Sequence, residues 1–216
     1  KPSSAASDVY KRQRKLRVKA LDHEEELPAL FLRPSNWNQT VVVWIDQEGK
    51  SSLFAENGDV RAKIRTLLSG GSGILAADLV YQGEFLDGGD PPRQARFRPG
   101  RPYAGYTLGY NHALFAQRVH DVLTLVAFAG SHLNSKNVQL VGMNGAAAWV
   151  ASATFLADGM VSRAAVDTSG FRFANVPHYR DPDFLPGAVK YGDFPALLAL
   201  CAPTPLWISG EKGQLP

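Results

Sequence analysis

The sequence predicts an α/β fold: a doubly wound, mostly parallel sheet with helices on both faces. Three observations carry this expectation. Short apolar runs alternate along the chain with segments of helical periodicity, which is the pattern of strand, crossover helix and parallel strand. The run Val41-Val42-Val43-Trp44-Ile45 is β-branched or aromatic throughout, as a strand covered on both faces requires. The stretch NVQLVGMNGAAAWVASATFLADG, residues 137–159, reads as strand, tight turn and helix in direct succession.

Taken in order, residues 3–13 (SSAASDVYKRQ) match the conceptual translation of a transposase sequencing adapter, so residues 1–13 are expected to be a leader outside the fold and residues 14–216 the domain. Residues 14–20 alternate polar and apolar, and residues 27–32 follow an acidic turn. These predict an antiparallel pair, with Pro28 suited to an edge strand because it has no N–H to donate. The all-apolar strand at 41–45 then ends in Asp46-Gln47-Glu48-Gly49. Residues 59–68 predict a helix with Asp59 as its cap, and residues 74–79 a second buried strand with Asp78 at its tip.

Residues 82–110, rich in Gly, Pro and Arg, predict a long loop of the kind that rims a site. Between 111 and 132, Leu114, Phe115, Val119, Val122, Leu123, Val126 and Ala127 recur at three and four, which predicts a long amphipathic helix. Residues 161–166 predict a strand with Asp167 at its tip. Residues 191–200 predict a short helix, and Leu206-Trp207-Ile208-Ser209 a last strand.

Composition narrows the function. A chain of 216 residues, 45% hydrophobic, suffices for one sizeable domain and not for two large ones. No apolar run approaches the roughly 18 residues that cross a bilayer, so no membrane partner is expected. The formal charge of +3 owes most to Lys1, Lys11 and Arg12 against Asp8, and no basic helix speaks for nucleic acid. The single Cys201 excludes an internal disulfide and reads as a small core residue. No His/Cys/Asp pair has ligand-like spacing in a rigid element, and no phosphate-binding glycine loop opens a helix, so neither metal nor cofactor is expected.

The junction Gly142-Met143-Asn144-Gly145-Ala146 holds the chemistry. A residue in that turn is thrown up at the carboxyl end of a strand, beside the positive end of the next helix. This is the geometry of the GxSxG nucleophile elbow, with Asn144 in the Ser position and Ala146 in that of the last Gly. A carboxamide nitrogen is delocalised into its carbonyl and has no hydroxyl or thiol to activate.

Several further pieces line up with the elbow: LPALFLRP before VVVWID, GILAADLVYQGE after a helix, YTLGYN before the long helix, and LLALCAPTPLWISGEKG near the end. In this order they resemble the acetyl xylan esterase and dienelactone hydrolase-like branch of the α/β-hydrolases, from about Leu27 to Gly213. The resemblance implies an incomplete α/β-hydrolase domain, lacking the last strand and helix, whose parent acts on carbohydrate esters. An extracellular or periplasmic place follows from that substrate, and a missing domain of the same parent chain is an expected partner. The resemblance also implies a nucleophile at Asn144 and oxyanion donors on Gly145, next to Met143-Asn144, and on Gln47 or Glu48. The acid falls on Glu211 or, one strand earlier, Asp167. The His should follow the acid, yet His23, His112, His120, His132 and His178 all precede Glu211. His178 could overhang the elbow from its loop, and Tyr103, Tyr106 and Tyr110 could offer aromatic faces to a sugar. A non-catalytic carbohydrate-binding or interaction module on the same fold is the alternative expectation.

Overall fold

The computed structural model describes residues 12–20, 25–86, 88–89 and 103–211. Seven strands form one sheet: β1 (Arg12–Ala20), β2 (Glu25–Arg33), β3 (Thr40–Asp46), β4 (Gly73–Ala77), β5 (Asn137–Met143), β6 (Arg163–Asp167) and β7 (Leu206–Ser209), in the order β1-β2-β4-β3-β5-β6-β7. β2 is antiparallel to both of its neighbours, and every other pairing is parallel. The helices are α1 (Ala62–Ser69), α2 (Ala104–Leu108), α3 (Leu114–Ser131), α4 (Ala147–Leu156) and α5 (Asp193–Leu200).

The alternation of side chains along each strand sorts the core into two layers. Val41, Val43, Ile45, Leu75 and Leu140 face α3, α4 and α5, where Phe115, Val122, Leu125, Trp149, Val150 and Phe194 complete the larger cluster. Leu32, Val42, Trp44, Ile74 and Ala76 face the other way, onto Ile64 and Leu68 of α1. β3 is buried at every position because both layers cover it, as its unbroken apolar run predicts. The second layer thins across the sheet. Trp44, Val141, Ala165 and Trp207 are successive neighbours on that face, and exposure climbs from 5% at Trp44 to 64% at Trp207.

Several local expectations are corrected. β2 is an inner strand, with β1 outside it. Pro28 is tolerated there because the nitrogen and oxygen of an antiparallel residue point toward the same neighbour. Its carbonyl accepts from Asp78 N at 3.0 Å, just past the end of β4, so the bond its nitrogen cannot make is the last one of that ladder. Asp59 does not cap α1. It belongs to a turn with Asn57, closed by the Phe54 and Val60 bridge, and Arg61 is the residue before the helix. Within residues 82–110, Gly83–Leu86 forms a 3-10 turn and Ala104–Leu108 a short helix, while residues 87 and 90–102, with the arginines Arg93, Arg96, Arg98 and Arg101, lie outside the described residues. α5 begins at Asp193, two residues later than expected, after a 3-10 turn at Val189–Tyr191. Among the described residues no helix is long and apolar enough to cross a membrane.

Candidate functional site

β3 is flanked by β4 and β5, and the chain reaches them over opposite faces: through α1 to β4 and through α3 to β5. The direction of winding therefore reverses at the carboxyl ends of β3 and β5, where open α/β sheets form their ligand crevice. Asp46 ends β3, and Met143, directly opposite it, ends β5. Asn144 follows at the lip.

The turn that presents Asn144 is set by local sterics. Asn144 has φ 48 and Gly145 φ 92, both left-handed, and Ala146 N donates to Met143 O at 3.0 Å to close the turn. Asn is among the residues that tolerate this region, and Gly is indifferent to it. α4 then starts at once and packs back against β5. A Cβ on Gly142 would lie 2.9 Å from Val150 Cβ and Cγ2 and 3.0 Å from Ala146 O, so the close approach of strand and helix requires glycine there. This is the succession of strand, tight turn and helix predicted from the sequence, with the expected helix bounds, Ala147–Leu156.

The exposed Asn144 side chain is anchored by one contact. Its Nδ2 donates to Asp46 Oδ2 at 2.8 Å, while Asp46 Oδ1 accepts from Glu48 N at 3.0 Å. Asp46 is 2% exposed, and burial pushes its pKa up; the hydrogen bonds from Glu48 and Asn144 only partly oppose this. With its amide nitrogen committed to Asp46, Asn144 keeps a carbonyl oxygen that no hydrogen bond engages among the described residues. The β3 loop is pinned from below by buried Gln82, whose Nε2 donates to Asp46 O at 3.2 Å and Gln47 O at 3.1 Å and whose Oε1 accepts from Leu79 N at 3.0 Å. Asp78 ties the neighbouring loops together by accepting from Lys50 N at 3.0 Å and Glu84 N at 2.9 Å and pairing with the Lys50 ammonium.

Two backbone donors lie at the same lip. Among the described residues no hydrogen bond engages the N–H of Gly145 or of Gln47, whereas Glu48 N is committed to Asp46. A Cβ on Gly145 would meet Gln47 Oε1 at 2.7 Å, so the two residues are neighbours across the lip. Met143 packs its side chain toward the α1 layer, beneath the turn.

The remaining candidates lie elsewhere in the structure. Asp167 Oδ1 accepts from Ser169 N at 3.1 Å and orders the turn after β6. Glu211 is gripped by the Arg172 guanidinium through two hydrogen bonds, of 3.1 and 2.5 Å, and this partner holds its carboxyl below the usual range. His178 is exposed in its loop; its Nδ1 accepts from Arg180 N at 3.2 Å and its ring lies 4.3 Å from that of Tyr179. His112 is exposed, His120 pairs with Glu25, and His132 stacks on Phe128 at the end of α3, so none of the described histidines contacts Asn144. His23 lies outside the described residues. Tyr103 is 68% exposed and Tyr110 89%, while the Tyr106 side chain is outside the described set. Cys201 is buried, with its thiol pushed up to about 11 by desolvation, which keeps it protonated and unreactive.

Tertiary packing adds groups that the sequence reading missed. Glu25, His120 and Asp121 bring ligand-type atoms within 4.8 Å of one another, although Glu25 is remote from α3 in sequence. His120 Nδ1 lies 2.9 Å from Glu25 Oε2, and Asp121 Oδ2 accepts from Val80 N at 2.8 Å. Buried Arg118, one turn before, stacks over Trp149 at 4.5 Å, and Trp149 Nε1 donates to Asp183 Oδ1 at 3.1 Å. Asp46 was the most legible omission: a carboxylate closing an otherwise apolar buried strand has to be held by something at the sheet edge.

Among solved structures, the chain is similar to a promiscuous CE15 esterase from a marine bacterial metagenome, with TM-score 0.59, 13% identity, and 91% of this chain and 62% of that one covered. It is similar to a putative dipeptidyl aminopeptidase IV from Bacteroides ovatus, with TM-score 0.59, 12% identity, and 91% and 27% covered. A thermostable carboxyl esterase from Bacillus coagulans gives TM-score 0.52, 12% identity, and 83% and 47% covered. The chain thus spans less than two thirds of the length of each of these relatives. No protein-family model matches the sequence, and no curated protein matches it. The structural likeness, at this identity, shows an α/β-hydrolase fold.

Proposed function

We propose that this chain carries the acyl-binding side of a carboxylic ester site, of the kind resembled in carbohydrate (acetyl xylan) esterases, and binds an ester carbonyl without hydrolysing it through a triad. The observation that carries this reading is the hydrogen bond from Asn144 to Asp46. It ties down, at the nucleophile position, an amide that has no acidic proton to surrender to a base, and it leaves the amide oxygen uncommitted. Gly145 N–H and Gln47 N–H, beside the positive end of α4, supply the donors a polarised carbonyl oxygen needs. The ester oxygen accepts from these, and a sugar hydroxyl on the same ligand donates to Asn144 Oδ1. Among the described residues Glu211 is taken up by Arg172 and no histidine contacts Asn144, which supports binding over triad hydrolysis.

The test is release of acetate from p-nitrophenyl acetate and from acetylated xylan, measured beside binding of acetylated xylo-oligosaccharide by calorimetry. The chain is expected to bind without turnover, and Asn144→Ala to weaken binding. Turnover that survives Asn144→Ala unchanged would place the reaction away from the elbow and end this reading.

A further inference from the structure

We propose that Glu25, His120 and Asp121 bind a divalent metal cation, zinc by the chemistry of the donors, which fastens the start of β2 to α3. Each side chain offers one ligand-type atom, and the three atoms lie within 4.8 Å of one another. His120 Nδ1 stands 2.9 Å from Glu25 Oε2. Two ligands at the ~2.0–2.2 Å typical of zinc, set at right angles, are about 3 Å apart, so this pair already has the spacing of neighbours on one ion.

Burial argues for an ion independently of that spacing. Asp121 is 4% exposed and, among the described residues, forms no ion pair. Arg118, one turn before, donates from Nε to Val80 O at 3.3 Å and lays its guanidinium over Trp149. A carboxylate this buried is ordinarily paired with a cation or bound to a metal. Its Oδ2 accepts from Val80 N at 2.8 Å, which orients the group as outer hydrogen bonds orient metal ligands, while no hydrogen bond among the described residues engages Oδ1. Glu25 brings a second carboxylate to the same place, a repulsion that a dication turns into attraction. The Glu25 and His120 side chains are 43% and 40% exposed, so the set has a buried floor and an open side where a hydrated ion can enter and keep its remaining water. An imidazole beside two carboxylates favours zinc over magnesium or calcium, which prefer oxygen alone. The ligands come from β2 and α3, so ligand-like spacing along the chain, on which the expectation of no metal rested, could not announce them. Through Asp121 and Val80 the bound ion would also hold the loop that follows β4.

The full chain, stripped with chelator and dialysed, would be titrated with Zn²⁺ by calorimetry, with retained metal counted after gel filtration and Co²⁺ used as an optical probe. The expected result is one Zn²⁺ per chain, held against excess Mg²⁺ and Ca²⁺, and a Co²⁺ visible band stronger than that of the aqueous ion. Glu25→Gln and His120→Gln, both at half-exposed side chains, should each weaken Zn²⁺ binding by at least about tenfold, while His178→Gln, in its exposed loop, leaves it unchanged. Zn²⁺ should raise the urea midpoint of the wild type and not that of Glu25→Gln, a comparison made within each protein and therefore blind to any stability lost by the substitution. Absence of uptake by the wild type overturns the proposal, as does uptake that either ligand variant leaves unchanged or a Co²⁺ spectrum identical to that of the aqueous ion. Because bound metal is read and not turnover, the outcome stands apart from whether the elbow binds esters.

Discussion

Replacing Gly142 by Ala tests the physical basis of the elbow. The new Cβ would stand 2.9 Å from two carbons of Val150, which is fully buried, and 3.0 Å from the carbonyl oxygen of Ala146. Overpacking of this kind costs about 1–3 kcal/mol. Here the upper part of that range applies, because one of the three contacts is backbone that begins α4 and cannot rotate away. Against it stands the ~0.5–1 kcal/mol by which Ala is preferred to Gly within a regular element. The net expectation is a loss of about 1–2 kcal/mol, or a fall in melting temperature of roughly 2–8 °C for a domain of this size. Val150→Ala alone removes two buried carbons at about 0.8 kcal/mol each. In the double variant the contact with Val150 Cγ2 disappears while those with Val150 Cβ and the Ala146 carbonyl remain, so the combined loss should be smaller than the sum by about 0.5 kcal/mol. Urea melts of the four proteins measure this directly. A neutral or stabilising Gly142→Ala, or strict additivity with Val150→Ala, would refute the claim that strand and helix meet too closely for any side chain.

Two further outcomes follow from the charged groups. Desolvation raises Asp121 to about 7, so the folded protein keeps a proton that the unfolded chain releases from its ordinary value of 3.8 upward. Wild-type stability should therefore decline as pH rises between these values and level off above about 7; Asp121→Asn should flatten that slope in urea melts at pH 5 and pH 8, and an unchanged slope would contradict the assignment. Glu211 is shifted the other way by Arg172. Arg172→Ala should lower stability at pH 7 by roughly 1–2 kcal/mol, discounted for the partial exposure of the pair, and the difference should vanish as pH falls through the lowered carboxyl range. A deficit that persists in acid would mean that packing, and not the ion pair, holds the residues.

The sequence alone determined the features whose cause lies within a turn or two. The bounds of α4 were legible because an apolar strand, a glycine-rich turn and ten helix-forming residues follow one another without interruption, and each enforces its neighbour's geometry. β3 and β7 were legible for a similar reason, as were the alternation that predicts a doubly wound sheet and the absence of a hydroxyl at the elbow. Tertiary structure decided everything that depends on which strands become neighbours. Pro28 looked like an edge residue because a proline's missing donor is a local fact, whereas the end of β4 beside it is not. Asp46 and Asn144 are 98 residues apart, and only the pairing of β3 with β5 turns two separate polar side chains into one site. The same holds for Arg172 on Glu211 and for Glu25 beside His120 and Asp121. Hydrophobic periodicity reports which face of an element is buried, and the partner across the sheet edge is fixed only when the chain closes on itself.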